Sequence, residues 1–350
     1  MSACQRRLVA CACWLVLLPA IAIPCTSFVL KGDGYLVFGT NYDNSFRDGF
    51  LYVNQEGIAK RGWELSTKGE CAKWVSKYGS LTFSLAGYQL PWAGMNTAGL
   101  VLSTMALAET RQPAPDGRCP LTSPLWMQYL LDTCATVEEV IATDKVVRIS
   151  GGVDHYLVGD RTGDCVAIEF LDGKTVFHRG ATMPVQVLAN DPYAICADQW
   201  KKGVPAGLNR YDSRARFARV DKMMRAYGPD DPLSPTACAF QILASVASSA
   251  TRWSIVFDIR NLKVAFRTDR NQEIRNIDLA NLDFSSESPV TMLDVHADLK
   301  GDVEDEFFDY DHEESLALTL RAVKHFRPDM TEETVRQIYQ QLEDFAPPRK

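Results

Sequence analysis

Two β-rich runs, Thr26–Leu30 and Tyr35–Gly39, flank the turn sequence Lys31-Gly32-Asp33-Gly34, and a cysteine, Cys25, stands directly ahead of the first run. Apolar residues on either side of a glycine-containing turn form a hairpin, which commits this end of the chain to antiparallel sheet. With the hairpin centred on the four turn residues, opposing residues sum to about 65. Cys25 then faces Thr40, and Asn41 and Asp43 lie just past the strand end on the same side. Further strand-like runs follow at Ser80–Ala86, Leu100–Met105, His155–Gly159, Cys165–Phe170, Lys174–His178, Val185–Leu188, Trp253–Asp258 and Lys263–Arg267. Several are joined by turns such as Leu171-Asp172-Gly173. Helical patterns interrupt them. Ser123-Pro124 opens one that runs toward Cys134, and Thr136 caps Val137–Thr143. Ser213–Tyr227 carries basic residues among apolar ones, and Ser234-Pro235 starts an Ala-rich helix to about Ala247. Antiparallel strands grouped apart from helices predict a layered α+β domain, and the lack of alternating β and α or of a G-x-G-x-x-G motif excludes a dinucleotide-binding fold.

The residues ahead of the hairpin have another character. Arg6 and Arg7 precede an apolar run from Leu8 to Ile23 that ends near Ala20-Ile21-Ala22. This is the pattern of a secretory signal peptide with its cleavage site. A membrane anchor is the competing reading, but a span needs about 20 apolar residues and no basic cluster follows the run. The expected location is therefore secreted or periplasmic, with residues 1–24 removed and Ile23-Pro24 forming a short propeptide. Without those residues 35 basic residues face 44 acidic ones, a net charge of −9 against −7 for the whole chain. No basic stripe exists, which argues against nucleic acid and anionic membranes as partners.

Cysteine usage fits export. Cys4, Cys11 and Cys13 belong to the signal, leaving Cys71, Cys119, Cys134, Cys165, Cys196 and Cys238 besides Cys25. Up to three disulfides are expected, with 15 possible pairings, and buried free thiols are the alternative. No Cys or His spacing indicates zinc. Beyond residue 295 an acidic stretch, Asp302–Glu314, is expected as a solvated loop ahead of two amphipathic helices near Glu314–His325 and Thr331–Phe345.

Cleavage before Cys25 would place a thiol and an unblocked α-amine on one residue, a nucleophile and a base supplied together. Pairing of Cys25 in a disulfide is the plain alternative. Lipidation is a further one, and Pro24 fits a lipoprotein cleavage site badly.

Cys25-Thr26-Ser27-Phe28, with Gly39-Thr40-Asn41-Tyr42-Asp43, resembles the start of the choloylglycine hydrolase family, which contains penicillin V acylases and bile salt hydrolases within the N-terminal nucleophile hydrolases. Gly94–Leu100, His155–Asp160 continuing to Ala167-Ile168-Glu169, Ala189-Asn190-Asp191-Pro192, Ser213–Arg219, Thr251-Arg252-Trp253 and Phe266–Asn271 are similar to its later blocks, in order. The resemblance covers residues 25–295, taken as the catalytic domain, with 296–350 outside it. It implies a four-layer αββα sandwich of two antiparallel sheets and hydrolysis of a linear amide through a thioester, without cofactor or metal. It implies that Cys25 is the nucleophile, Asp43 holds its amine, Asn190 donates to the oxyanion, and Arg216 stands behind the thiol. A second oxyanion donor is implied at the backbone N–H near Ala106.

Two positions depart from the family pattern: Thr40 stands where an arginine is usual beside the nucleophile, and Ala106 where the best-known members carry Asn or Tyr, although a backbone donor needs no particular side chain. Each assigned residue also has a plainer reading. Asp43 and Asn190 are ordinary turn formers, Arg216 can pair with an acid on its own helix face, and the five histidines lie in no motif. The expected substrate is a small N-acyl compound, such as penicillin V or a conjugated bile acid, with pocket loops around Trp74, Trp92 and after Ala106. An acyltransferase of the same fold and a disulfide-rich secreted binding module are the alternatives, and homo-oligomerisation stays open.

Overall fold

A computed structural model describes residues 24–62, 72–205 and 207–345. Two large sheets carry the chain. The first runs, in spatial order, Val187–Leu188, Thr26–Gly32, Tyr35–Asp43, Thr251–Asp258, Lys263–Thr268, Arg275–Asp278 and Gly301–Asp302. The second runs Lys174–Arg179, Cys165–Leu171, Asp154–Gly159, Val101–Ala106, Ala93–Asn96, Ser80–Ser84, Phe50–Asn54, Thr291–Asp294 and Phe308–Asp309. Within both, every ladder is antiparallel except the two-residue pairing of Arg275-Asn276 with Gly301-Asp302.

Side-chain alternation sorts the second sheet into two faces. Leu51, Val53, Leu81, Phe83, Met95, Val101 and Leu157 enter the core shared with the first sheet. Leu100, Leu102, Tyr156, Val158, Val166 and Ile168 turn the other way, onto helix Ser123–Thr133. Helix Pro235–Val246 covers the outer face of the first sheet, where Asn41 Nδ2 donates to Leu243 C=O at 2.9 Å. Helix, sheet, sheet and helix therefore stack as an α+β sandwich. The helix starts follow from their caps: Ser234 Oγ accepts from Ala237 N–H, and Thr136 and Glu139 form a reciprocal capping box.

The N-terminal hairpin is tighter than expected. Gly32 pairs with Tyr35, leaving only Asp33-Gly34 as the loop, with Gly34 at φ +84°. Opposing residues sum to 67, so Thr40 faces Ser27, and Tyr42 occupies the position across from Cys25. A two-residue loop with a left-handed glycine closes an antiparallel pair without splaying it, which is why the shorter turn wins.

Strands Phe50–Asn54 and Ala93–Asn96 have no periodic signature because both faces of each are covered, and Thr291–Asp294 buries only its two middle residues. Helix Tyr193–Lys202 was likewise not expected. The acidic stretch is largely exposed, yet Gly301–Asp302 and Phe308–Asp309 add an edge strand to each sheet. Helices His312–Phe326 and Glu332–Phe345 then seal an aromatic cluster containing Phe46, Tyr52, Tyr88 and Tyr310. Cys25, Cys134, Cys165, Cys196 and Cys238 are free thiols, so the three-disulfide framework does not form; Cys71 lies outside the described residues. No described helix is long and apolar enough to cross a membrane.

Candidate active site

Cys25, Asp43, Ala106, Asn190 and Arg216 come from four parts of the fold and are joined by contacts between them. Cys25 follows Pro24 and immediately precedes strand Thr26–Gly32. Its Sγ lies against the Asp43 backbone, 3.4 Å from the N–H that donates to it and 3.6 Å from the C=O. The thiol is 5% exposed. Burial, reinforced by the Asp43 carboxylate, pushes it up to about 12, against the downward pull of the Asp43 N–H and Arg216.

Asp43 ends strand Tyr35–Asp43, paired with Thr251. Between Thr251 and Trp253 the register shifts by one residue, and the bulge leaves Arg252 unpaired in the ladder beside Asp43. Among the described residues neither carboxylate oxygen of Asp43 has a hydrogen bond, although the group is 1% exposed. Burial pushes it up to about 7, against the Thr251 hydroxyl, Arg216 and Arg252, which favour the ionised form from positions short of hydrogen-bonding geometry. A buried carboxylate without a donor is costly.

Arg216 sits in helix Ser213–Ala226, whose start is capped by Asp212. Its guanidinium is 1% exposed. Nη1 donates to Pro24 C=O at 2.9 Å and also to Cys25 C=O and Thr26 Oγ1, Nη2 donates to Asn190 Oδ1 at 2.9 Å, and Nε to Tyr211 C=O at 3.0 Å. The arginine thus joins the peptide bond ahead of Cys25 to the Asn190 amide. It pairs with no acid of its own helix.

With its oxygen held by Arg216, the Asn190 amide must present its nitrogen the other way, and Nδ2 donates to Ala106 C=O at 2.9 Å. Leu107 N–H donates to Val153 C=O at 2.6 Å, which makes Ala106 and Asp154 a pair without mutual hydrogen bonds. The backbone groups of Ala106 therefore turn away from strand Asp154–Gly159 and toward Asn190. The Asn190 amide thereby lies against the Ala106 backbone.

Thr40 does not approach the thiol as a charged group would. It belongs to a buried hydroxyl chain in which Ser27 Oγ lies 2.7 Å from Thr40 Oγ1 and 2.9 Å from Ser103 Oγ, tying the two sheets together. Trp92 shares the cluster that contains Cys25. Trp74 does not: it donates to Asp132 at 2.7 Å in the cluster on the far face of the second sheet.

Sequence reasoning missed two neighbours. Tyr42 packs beside Cys25, and only the corrected strand register reveals it. Glu169 accepts from His155 Nδ1 and His178 Nε2, each 3.1 Å away, and from Tyr193 N–H at 2.8 Å, fixing the start of the helix that follows Asn190. No sequence signal joined those histidines to Glu169.

A free thiol, an adjoining buried carboxylate and a side-chain amide held by Arg216 are the parts of a layout for acyl transfer to sulfur. The thiol also removes the reading of Cys25 as half of a disulfide. Comparison with known proteins agrees. The model of the linear amide C–N hydrolases, choloylglycine hydrolase family, matches residues 25–224. Penicillin V acylase from Pectobacterium atrosepticum is 27% identical over 264 residues, spanning 61% of this chain and 69% of that protein. The structure of penicillin V acylase from Agrobacterium tumefaciens superposes with a TM-score of 0.71 at 27% identity, over 82% of this chain and 98% of that one. A variant of the conjugated bile acid hydrolase from Clostridium perfringens, at 18% identity, shares the fold with a TM-score of 0.64 over 79% of this chain and 98% of its own. With more than half of the chain matched by the family model and the same sandwich in the solved structures, this protein belongs to the choloylglycine hydrolase family of linear amide C–N hydrolases.

Proposed function

We propose that the protein is an exported amidase in which Cys25, as the first residue of the mature chain, cleaves a small N-acyl amide, with penicillin V and related acyl amides as the substrate class suggested by its relatives. The observation that carries this reading is the Asp43 carboxylate, buried, without a hydrogen bond among the described residues and near enough to the Cys25 thiol to raise it. An α-amine released at Cys25 supplies the missing donor.

Processing uses the same atoms as catalysis. Cys25 Sγ attacks the Pro24 carbonyl carbon, the bond from that carbon to the Cys25 nitrogen breaks, and the acyl group moves to sulfur. Water then hydrolyses the thioester, releasing the Pro24 carboxylate and leaving the amine. Arg216 Nη1, 2.9 Å from Pro24 C=O, faces the charge that develops on that oxygen.

In the mature enzyme the amine, held by Asp43, takes the thiol proton as Sγ attacks the substrate carbonyl. An unperturbed α-amine titrates near 7.7–8.0, so a sizeable fraction is available as base near neutrality. The oxyanion is met by Asn190 Nδ2 and the Ala106 N–H, donors whose individual loss typically costs about 2.7–4 kcal/mol of barrier. The proton passes to the leaving amine, and water releases the acid from the thioester.

The test is the opening residue of the exported protein together with turnover of N-acyl amides. Purified active enzyme should begin with cysteine, whereas a Cys25→Ala chain should retain Ile23-Pro24 and hydrolyse nothing. An active preparation that opens on another residue, or a fully trimmed Cys25→Ala chain, sinks the proposal.

A further inference from the structure

Tyr42 stands across from Cys25, one step past the Thr26–Asn41 pair of the hairpin. Its face is set by its neighbours. Thr40, two residues back, meets Ser27, and Ser27 meets Ser103 of the opposite sheet, so this side of the hairpin looks into the space between the sheets. There the Tyr42 ring is enclosed by Trp92 and Trp253, with centroids 4.9 and 4.5 Å away. Cys25, Met105 and these three rings belong to one buried cluster. Trp253 has a partner for its N–H, the Arg47 carbonyl at 3.0 Å.

The Tyr42 hydroxyl has none. It is buried and makes no hydrogen bond among the described residues. Buried phenols almost always find a partner, and a phenylalanine would fill the same space without the cost of an unpaired hydroxyl. Burial raises the hydroxyl well above its ordinary range, and the Cys25 thiol adds to the shift, so the phenol stays a proton donor and lies within electrostatic reach of the sulfur.

The geometry leaves one kind of acceptor. When Sγ attacks a carbonyl, the oxygen turns to Asn190 and Ala106, and the outer side of the strand is filled by Arg216. The face of the strand that carries the Cys25 thiol also carries Tyr42, so an acyl group on sulfur that keeps to this face meets the phenol. We infer that Tyr42 is a specificity residue whose hydroxyl donates to an acceptor oxygen (ether, ketone or hydroxyl) carried by the acyl group one or two atoms beyond the scissile carbonyl. This rests on the reading of Cys25 as nucleophile. A site with a buried donor discriminates strongly against an analogue that lacks the acceptor, because the donor is then left unpaired in the complex.

Two amides of 4-nitroaniline test it: phenoxyacetyl and 3-phenylpropanoyl, alike in length and differing by one oxygen in place of a methylene. Their kcat/KM values are divided by their rates of hydroxide-catalysed hydrolysis to remove the difference in intrinsic reactivity. The wild-type enzyme should favour the ether by about tenfold or more. Tyr42→Phe should lower the ether value far more than the hydrocarbon value and bring the ratio close to one. A corrected ratio near one in the wild type overturns the inference, whether or not the variant folds. So does a ratio that Tyr42→Phe leaves in place. An equal loss on both amides with a shifted pH profile overturns it too, by assigning the hydroxyl to the α-amine. An enzyme that hydrolyses other amides but neither of these defeats the inference alone, whereas failure on every N-acyl amide defeats the reading of Cys25 beneath it.

Discussion

Asp43 is held buried, against its own chemistry, with no hydrogen bond to its carboxylate among the described residues. Its folded value of about 7 lies above the ordinary carboxylate range, near 3.9 in an unfolded chain. Between those values the folded state binds the extra proton, so stability falls as pH rises from about 4 to about 7. In an unprocessed Cys25→Ala protein the loss should be a few kcal/mol across that window, read from urea midpoints at several pH values. Asp43→Asn in the same background should flatten the profile and be the more stable protein at pH 8. A profile that Asp43→Asn leaves unchanged would show that the carboxylate is not the strained group. The type of residue at Cys25, Asp43, Asn190 and Arg216 was legible in the sequence through motif resemblance. The register was not, because a turn with two glycines admits two loop lengths and only packing on Trp253 and Ser103 chooses between them.

Among the elements, helix Tyr193–Lys202 shows how a site is placed by what lies behind it. The helix begins three residues after Asn190, and its first N–H is taken by Glu169, which strand Cys165–Leu171 delivers from the second sheet. Burial raises Glu169, but the hydrogen bonds from His155, His178 and the Tyr193 N–H outweigh it and hold the group down at about 2. A depressed carboxylate contributes stability that is complete above its unfolded value of about 4.3 and lost as pH falls toward 2. Glu169→Gln should therefore cost about 2–3 kcal/mol at pH 7 and about half of that at pH 3. Denaturant midpoints at the two pH values check this, and an equal cost at both would mean that shape, not charge, is what the site requires. Helices with a capping residue and one apolar stripe, such as Val137–Thr143 and Pro235–Val246, could be read from the chain. Tyr193–Lys202 could not, because its start is satisfied by a side chain from a distant strand instead of a local cap.

The whole molecule is closed by its C-terminal helices. Tyr310 O–H lies 2.8 Å from Tyr339 O–H, and Tyr52 O–H 2.7 Å from Ser315 Oγ, joining both helices to the second sheet. Gly87, at φ +105°, lets Thr319 approach so closely that a Cβ there would sit 2.5 Å from its Oγ1. A chain ending at Asp311 would expose Tyr52, Tyr88 and Met292. At about 1.5–3 kcal/mol for each large apolar side chain, Tm should drop by roughly 10 °C or more and dye binding to apolar surface should rise. A truncated protein that melts with the full chain would make the helices an appendage. What the amino-acid order determined by itself was local and chemical: a layered α+β chain, most strand and helix positions, and a cysteine at the head of the first hairpin. Tertiary structure alone decided which side chains meet: Tyr42 beside Cys25, Arg216 joined to Asn190, Glu169 under its helix, and the tail woven into both sheets. The reason is separation. These contacts join residues tens to hundreds of positions apart, and the burial that selects them exists only once both sheets have closed on one core.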